Sequence, residues 1–134
     1  NVCHSVLLMD LDDLKPLNDL HGHQAGDEAL RQVSSACLAN VRASDLVARL
    51  GGDEFAVLLG HTSASGARRA AVRYRETIES RQVLGVPLKV SIGTATVDRA
   101  GTDAASLLGQ ADASLYEDKR ARKQRRISEP PMAA

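Results

Sequence analysis

The sequence predicts an α/β domain in which a mixed central sheet carries an antiparallel hairpin and is flanked by helices. Three observations favour this class. The fully apolar run 6–9 is typical of a buried strand. Two further apolar runs, 46–48 and 56–59, flank a Gly-Gly step that suits a hairpin turn, because glycine tolerates positive φ. Longer segments repeat apolar residues at helical spacing, and 134 residues fit one domain with a real core.

The first part of the chain begins with a predicted strand at about 5–10. Leu14, Leu17 and Leu20 then indicate a short helix or turn, and the glycine-containing polar stretch 21–27 is expected to be a loop. A helix is predicted for about 26–41, since apolar residues recur there at helical spacing and acids occupy its first turn.

The second part continues the alternation of strands and helices. Thr62 or Ser63 can cap one helix and Asp103 another, and Gly93 indicates a bulge or a close backbone approach within a strand. The predicted ranges are strands at 45–49 and up to residue 59, a helix at 64–80, a turn at 84–87, a strand at 88–97, a helix at 104–122 and a disordered tail at 125–134.

Composition excludes several functions. Acidic and basic residues balance at 17 each, and the aromatic residues are one Phe and two Tyr, so we expect no nucleic-acid partner. Cys3 and Cys37 form neither a disulfide framework nor a zinc pattern, which predicts small apolar side chains in a reducing cytoplasm. The sequence has no signal peptide or long apolar run, so we expect no membrane contact by this segment.

Acidic residues stand at two informative points. Asp10 ends the first strand, and Asp53 and Glu54 directly follow the glycine pair. Adjacent carboxylates at a tight turn are poor choices for strand stability and make better sense if at least one binds a cation. Side chains alternate along a strand, so Asp53 and Glu54 are expected on opposite sides. If the strands are neighbours, Asp10 and Asp53 converge in a geometry that suits Mg²⁺ with substrate phosphates.

The hairpin segment resembles a known family. Gly51-Gly52-Asp53-Glu54-Phe55 is the signature of GGDEF domains, the diguanylate cyclases, and the similarity extends over about 5–123. An ordered set of matches is far more specific than a five-residue motif. The other matching residues are Asp10-Leu11-Asp12, Lys15, Asn18-Asp19, Gly22-His23, Gly26-Asp27, Ser91-Ile92-Gly93, Ala111-Asp112, Tyr116 and Lys119.

The resemblance implies a fold similar to the palm of nucleotide polymerases and adenylyl cyclases. It also implies condensation of two GTP molecules into cyclic di-GMP, with release of two pyrophosphates. Two Mg²⁺ or Mn²⁺ ions per active site are then expected on Asp10, the Leu11 backbone carbonyl and Asp53. Asp53 is expected to help remove the hydroxyl proton, with Glu54 in a supporting catalytic role.

Base selection is carried over to Asn18 and Asp27. A carboxylate can accept both the N1–H and the amine of guanine, whereas adenine would leave it unpaired. Without the resemblance, Asp27 is better read as a first-turn helix acid and Asn18 as a turn former. His23 lies beside this predicted site and is equally well explained as a loop hydrogen-bonding residue.

Phosphate binding is carried over to Lys15 and Lys119, with Lys123 beside them and Gly51 and Gly52 at the turn. Lys15 is also expected to assist catalysis. The lysines have a simpler explanation as solvated residues, and the basic run 119–126 opposes the dipole at a helix C-terminus. We assign only Lys119 and Lys123 of that run to the substrate.

Arg42 and Asp45 form an Arg-x-x-Asp pattern shortly before the hairpin. The family often has an inhibitory site for its product there, because arginine can fork onto phosphate or guanine and aspartate can accept the guanine donors. The alternative is a helix-end arginine beside a loop aspartate. We interpret the pair as product-binding.

The resemblance also predicts the assembly. One domain holds one GTP and the product needs two, so two subunits must face each other with two-fold symmetry. The family's opening helix and its Asp-x-Leu-Thr-Gly-Leu-x-Asn-Arg stretch are absent. We therefore expect an N-terminally truncated domain spanning 1–124, a missing regulatory domain, and a cytoplasmic location with possible membrane tethering of the full-length protein.

Two other functions compete with the enzyme. The first is a receptor that binds cyclic di-GMP or GTP without catalysis. Intact Asp10, Asp53 and Glu54 favour the cyclase, because receptors in this family tend to have lost one of these acids. The second is a palm-like transferase acting on nucleic acid, which the zero net charge and the scarcity of aromatic residues disfavour.

Overall fold

A computed structural model describes residues 3–97 and 103–128, with side chains as far as residue 125. The elements are β1 (His4–Asp12), α1 (Leu14–His21), α2 (His23–Asn40), β2 (Asp45–Gly51), β3 (Glu54–Leu59), α3 (Ala64–Glu79), β4 (Gln82–Val83), β5 (Val86–Pro87), β6 (Lys89–Val97) and α4 (Ala104–Ser128). In neither described range does a helix combine the length and the apolar composition that a membrane span requires.

The main sheet has the strand order β2-β3-β1-β6. All pairings among these described strands are antiparallel, whereas the sequence favoured a mixed sheet. The predicted α/β class is confirmed, since helices flank this sheet on both faces. β1 lies at the centre, paired with β3 on one side and β6 on the other. Its central position explains why the run 6–9 is apolar on both faces.

Alternation along β1 divides the core into two parts. Leu7 and Met9 face a large cluster that includes Val33 of α2 and Tyr74 of α3. Val6 and Leu8 face a smaller cluster. That second cluster is completed by Ala56, Ala95, Ala111 and Leu115, so α4 covers the opposite face of the sheet. Both cysteines match their predicted character, with Cys37 buried and Cys3 half-buried.

The prediction of a loop over 21–27 is wrong. Only Gly22 separates α1 from α2, and its positive φ of 87° is a conformation that glycine adopts without steric strain. The Gly22 amide donates to the carbonyl of Asn18, and the Ala25 amide donates to the carbonyl of Gly22. The loop prediction failed because a polar, glycine-containing stretch can also begin a helix. Within this stretch only Ala25 and Gly26 are buried, so no apolar pattern indicated the helix.

Smaller differences concern turns and helix ends. Of the predicted turn at 84–87, residues 84–85 form the tip of a two-stranded hairpin, with positive φ at Leu84 and Gly85, and residues 86–87 form its second strand, β5. Ser63 and Asp103 cap their helices as predicted, accepting from the amides of Gly66 and Ser106. The last helix continues to Ser128, so residues 125–128 of the predicted disordered tail are helical. The rest of that tail, 129–134, lies outside the described residues.

Candidate active site

One cleft collects residues from three separate parts of the sequence, 10–16, 53 and 119–123. It has a volume of about 450 Å³ and lies where β1 ends, beside the hairpin turn and beneath α4. The predicted ligands and lysines that line it are Asp10, Leu11, Lys15, Asp53, Lys119 and Lys123. We call this the acidic cleft. The convergence of Asp10 and Asp53 that the strand pattern predicted is therefore present in the fold.

Backbone pairing brings the two acids together. The Leu11 amide donates to the Asp53 carbonyl at 3.1 Å, which joins the end of β1 to the hairpin turn. Glu54 stands directly opposite Asp10 in the β1–β3 ladder, so these two side chains leave the sheet on the same face. Asp53 lies in the turn itself, and strand alternation therefore does not set its direction as the sequence predicted.

The hairpin turn is held by an arginine that sequence analysis missed. Gly51 and Gly52 have φ angles of 140° and 51°, so both require glycine. The turn centres on Gly52 and Asp53 rather than on the two glycines, with a bulge between Arg49 and Gly51. Arg49 donates to the Gly52 carbonyl through Nε at 3.1 Å and Nη2 at 2.7 Å. The spacing of Arg49, three residues before the second glycine, was the sequence signal that could have predicted this contact.

The surroundings of the Asp10 carboxylate favour the binding of a cation. The residue is 9% exposed, and burial raises the pKa of its carboxyl to about 6, helped by the nearby charge of Asp53 and opposed by Lys119. The Lys119 ammonium contacts Asp10 Oδ2. Asp10 Oδ1 is buried without a hydrogen-bond partner. A carboxylate with one orphaned oxygen favours a second positive group.

A network of ion pairs fixes the wall behind the acidic cleft. Asp12 accepts from Ser91 Oγ at 3.0 Å through each carboxylate oxygen and lies 3.4 Å from Arg122 Nε. Arg122 also contacts Glu79 of α3, and Glu79 accepts from the Val90 amide at 3.0 Å. The network joins α3, β6, α4 and β1, so it holds α4 against the strand that bears Asp10. Sequence analysis placed Arg122 only in the basic run 119–126 that opposes the helix dipole, and did not predict these ion pairs.

The donor set fits a hard divalent cation. Mg²⁺ commonly uses one or two protein carboxylates and completes its shell with water and substrate phosphate oxygens. Asp10 and Asp53 supply the carboxylates, the Leu11 carbonyl a third oxygen, and the orphaned Asp10 Oδ1 is an available ligand atom. Among the described residues, no three His, Cys, Asp or Glu side chains are grouped so that they could together hold a metal ion.

The predicted guanine-selecting residues come from two adjacent helices. Asn18 of α1 lies against Gly26 of α2, where a Cβ atom would come 2.1 Å from Asn18 Oδ1. That oxygen is buried and has no hydrogen-bond partner. Asp27, the next residue along α2, is exposed and lines a second cleft of about 560 Å³ together with Arg49. The hairpin turn thus borders both clefts, because Arg49 binds the Gly52 carbonyl.

The remaining substrate residues are less constrained. Lys15 and Lys123 are exposed on the rim of the acidic cleft, whereas Lys119 is half-buried. His23 is exposed at the first position of α2. His23 lines neither the acidic cleft nor the second cleft, so its position beside the guanine site stays a prediction.

Arg42 and Asp45 form a pre-ordered pair away from the acidic cleft. Arg42 donates through Nε and Nη2 to the two Asp45 carboxylate oxygens, each at 3.0 Å, and its backbone amide donates to Oδ2. Arg42 Nη2 also donates to Thr62 Oγ1 at 2.8 Å. Arg42 lines a pocket of about 220 Å³ with Arg69 and Arg73 of α3.

An antiparallel sheet that presents two acids from β1 and a hairpin turn, beneath a helix that carries lysines, defines a palm-like domain of the nucleotidyl cyclase class. The family model described as diguanylate cyclase, GGDEF domain matches residues 1–125. The chain therefore belongs to the GGDEF domain family.

Curated relatives agree with this assignment. Diguanylate cyclase A of Treponema denticola is 37% identical over 119 residues, covering 86% of this chain and 32% of that protein. Diguanylate cyclase DosC of Escherichia coli K12 is 41% identical over 121 residues, covering 87% of this chain and 26% of that protein. The chain thus spans a third or less of the length of these relatives.

Solved structures show the same fold. The GGDEF domain of DgcB from Caulobacter crescentus, crystallised in complex with c-di-GMP, superposes with a TM-score of 0.82 at 31% identity, covering 90% of this chain and 74% of that one. The GGDEF domain of YfiN (TpbB) from Pseudomonas aeruginosa also gives 0.82, at 37% identity, covering 90% of this chain and 78% of that one.

Proposed function

We propose that this domain is a diguanylate cyclase that condenses two GTP molecules into cyclic di-GMP and releases two pyrophosphates. The observation that carries the proposal is the acidic cleft, in which Asp10 and Asp53 meet beneath Lys119. In-line attack of a 3′-hydroxyl on an α-phosphorus builds negative charge on the leaving pyrophosphate. A cleft with two carboxylates and several ammonium groups can hold cations and neutralise that charge.

We propose that Asp10, the Leu11 carbonyl and Asp53 would hold two Mg²⁺ or Mn²⁺ ions, which would supply charge neutralisation and a lower pKa for the 3′-hydroxyl. The chain's own groups then position the substrate. Asp53 accepts the hydroxyl proton, and Glu54, on the same sheet face as Asp10, adds negative potential that favours cation binding. The fixed Gly52 turn keeps the Asp53 backbone in place through the Arg49 hydrogen bonds.

The triphosphate and the base are proposed to be recognised at opposite ends of the site. Lys15, Lys119 and Lys123 neutralise phosphate oxygens, and Gly51 and Gly52 allow the close approach of the phosphates to the turn.

Asn18 and Asp27 select guanine. Because the Asn18 oxygen is buried without a partner, an amine donor from the base would relieve that unsatisfied group. His23 is proposed as a further polar contact beside them.

Catalysis is proposed to need a homodimer, because each subunit presents one GTP and the product joins two. Arg42 and Asp45 are proposed as the inhibitory product site. Their support is geometric: a bidentate pair, already ordered, on the edge of a pocket that also contains Arg69 and Arg73. A ligand phosphate could exchange for the carboxylate on the Arg42 fork.

The test is incubation of the purified chain at high concentration with GTP and Mg²⁺, followed by chromatography for cyclic di-GMP. Asp53→Ala should abolish product, and Glu117→Ala, which removes an exposed carboxylate of α4, should leave it unchanged. Saturable binding of cyclic di-GMP without any synthesis, even when two copies are fused to a dimeric coiled coil, would favour the receptor function.

A further inference from the structure

The ion pair between Lys119 and Asp10 joins residues that lie 109 positions apart in the sequence. Asp10 is largely buried at the end of β1, and Lys119 reaches it from α4 with a side chain that is 41% exposed. Burial alone would lower the pKa of Lys119, but its bond to Asp10 and the charges of Asp12 and Asp53 raise it instead. Lys119 is therefore a charged group held inside a carboxylate cluster.

The same ammonium stands where a metal ion is expected. It contacts Oδ2 of Asp10, whereas Oδ1 is buried without a partner. Lys123 lines the acidic cleft one turn further along α4, yet the ion pair with Asp10 is made by Lys119. A metal ion and the Lys119 ammonium compete for the buried Asp10 carboxylate. Each neutralises the same negative charge, so the binding of one weakens the binding of the other.

We propose that Lys119 is a tethered counter-ion, which neutralises the Asp10 carboxylate in the nucleotide-free domain. The triphosphate draws Lys119 away from Asp10, so that metal and nucleotide bind cooperatively. This inference rests on the proposed function, since it concerns the regulation of the same cleft. Triphosphate oxygens offer Lys119 an alternative anion, and its release frees Asp10 for the metal.

By linkage, the factor by which bound nucleotide raises the affinity for the metal equals the factor by which bound metal raises the affinity for the nucleotide. The domain would hold metal weakly when empty and tightly when loaded.

The decisive measurement is Mn²⁺ binding to the intact chain without nucleotide, by calorimetry or by electron paramagnetic resonance of free Mn²⁺. Lys119→Met keeps the aliphatic stem and removes the charge, so it should lower the Mn²⁺ Kd by roughly fivefold or more. Lys119→Arg keeps the charge and should retain weak binding. Asp10→Asn should abolish binding, which verifies that the titration reports on this carboxylate.

The matched control is Lys123→Met, which removes a charge from the same cleft without breaking the ion pair. Its Mn²⁺ Kd should change much less than that of Lys119→Met. Equal tightening in both variants would mean that only the overall charge of the cleft matters, and the proposal would be wrong. An unchanged or weaker Kd in Lys119→Met, with the fold verified by circular dichroism, would overturn it too.

A second readout separates this inference from the proposed function. With a non-hydrolysable GTP analogue present, the Mn²⁺ Kd of the wild type should fall by a larger factor than that of Lys119→Met. If the analogue lowers the Mn²⁺ Kd by the same factor in both proteins, Lys119 does not couple metal binding to nucleotide binding. Cyclic di-GMP synthesis is scored in its own assay, so a tightened Kd in a chain that makes no product would support the counter-ion and reject the cyclase.

Discussion

A Cβ atom on Gly93 would lie 2.2 Å from the backbone nitrogen of Leu115, so β6 and α4 contact each other backbone to backbone at this point. The Ala111 carbonyl is almost as close, at 2.3 Å from the same position. This contact sets the height of α4 above the sheet, and Lys119 projects from the following turn toward Asp10. The close backbone approach predicted at Gly93 is therefore confirmed, and β6 keeps its regular register with β1 there.

Gly93→Ala should lower the free energy of unfolding by about 3 kcal/mol, because the added methyl group would clash with the backbone of α4, which is rigid there. Urea denaturation measures this change. Gly109→Ala is the matched control, since it lies on the same helix and a Cβ there meets nothing within 4 Å. Equal stability of Gly93→Ala and wild type would show that α4 can shift away from β6 without loss.

Gly26→Ala separates substrate recognition from folding. Its new Cβ would meet the Asn18 side chain, whose amide end can rotate away, and alanine is the better helix former by about 1 kcal/mol. The variant should remain folded while its Kd for GTP rises at least about tenfold, because Asn18 is displaced from the proposed guanine site. Calorimetry with GTP measures this effect, with Gly109→Ala as the control. Unchanged GTP affinity would remove Asn18 from the site.

Asp45 should give stability a pH dependence of known sign. Burial alone would raise the pKa of its carboxyl, but the hydrogen bonds from the Arg42 side chain and backbone outweigh burial and hold the pKa below 3.8. A lowered folded pKa means that ionised Asp45 stabilises the fold above about pH 4 and that this contribution is lost as pH falls through the folded pKa. Asp45→Asn should therefore lose about 1–2 kcal/mol at pH 7.

The difference between Asp45→Asn and wild type should shrink as pH falls toward 3. Thermal unfolding at a series of pH values measures it, and Asp112→Asn, an exposed residue of α4, is the control. A difference that stays constant over this pH range would mean that the lost stability comes from packing rather than from the charge.

Arg122→Met should destabilise the domain by about 3 kcal/mol, because it leaves Glu79 and Asp12 without their shared cation in a mostly buried setting. Methionine keeps the volume of the stem, which isolates the charge. Denaturant unfolding provides the measurement, and Arg120→Met, an exposed neighbour on α4, should change stability by less than about 0.5 kcal/mol. Similar losses in both variants would contradict the network.

Much of the site could be predicted because its chemistry is local. The apolar run that ends at Asp10 required a buried strand, and Gly51-Gly52 required a tight turn, so Asp10 was expected at a strand end and Asp53 beside a turn. Their convergence was predicted only if the two strands are neighbours, which the pairing of β1 with β3 confirms. Gly22 was harder, since a single positive-φ residue can separate two helices where composition favours a loop. The end of α4 was not predicted correctly either, because the basic run 119–126 suits both a helix and a solvated tail.

By itself, the sequence determined the strands of the main sheet and most of the helices, the turn that follows β2 with its neighbouring acids, and the family to which the chain belongs, because propensity, turn chemistry and ordered motifs act over a few residues. Only the tertiary structure decided that Lys119 reaches Asp10, that Arg49 holds the Gly52 carbonyl and that Arg122 joins Glu79 to Asp12. Those contacts depend on strand register and on the depth at which α4 packs. Both are set by long-range burial, which no local pattern encodes.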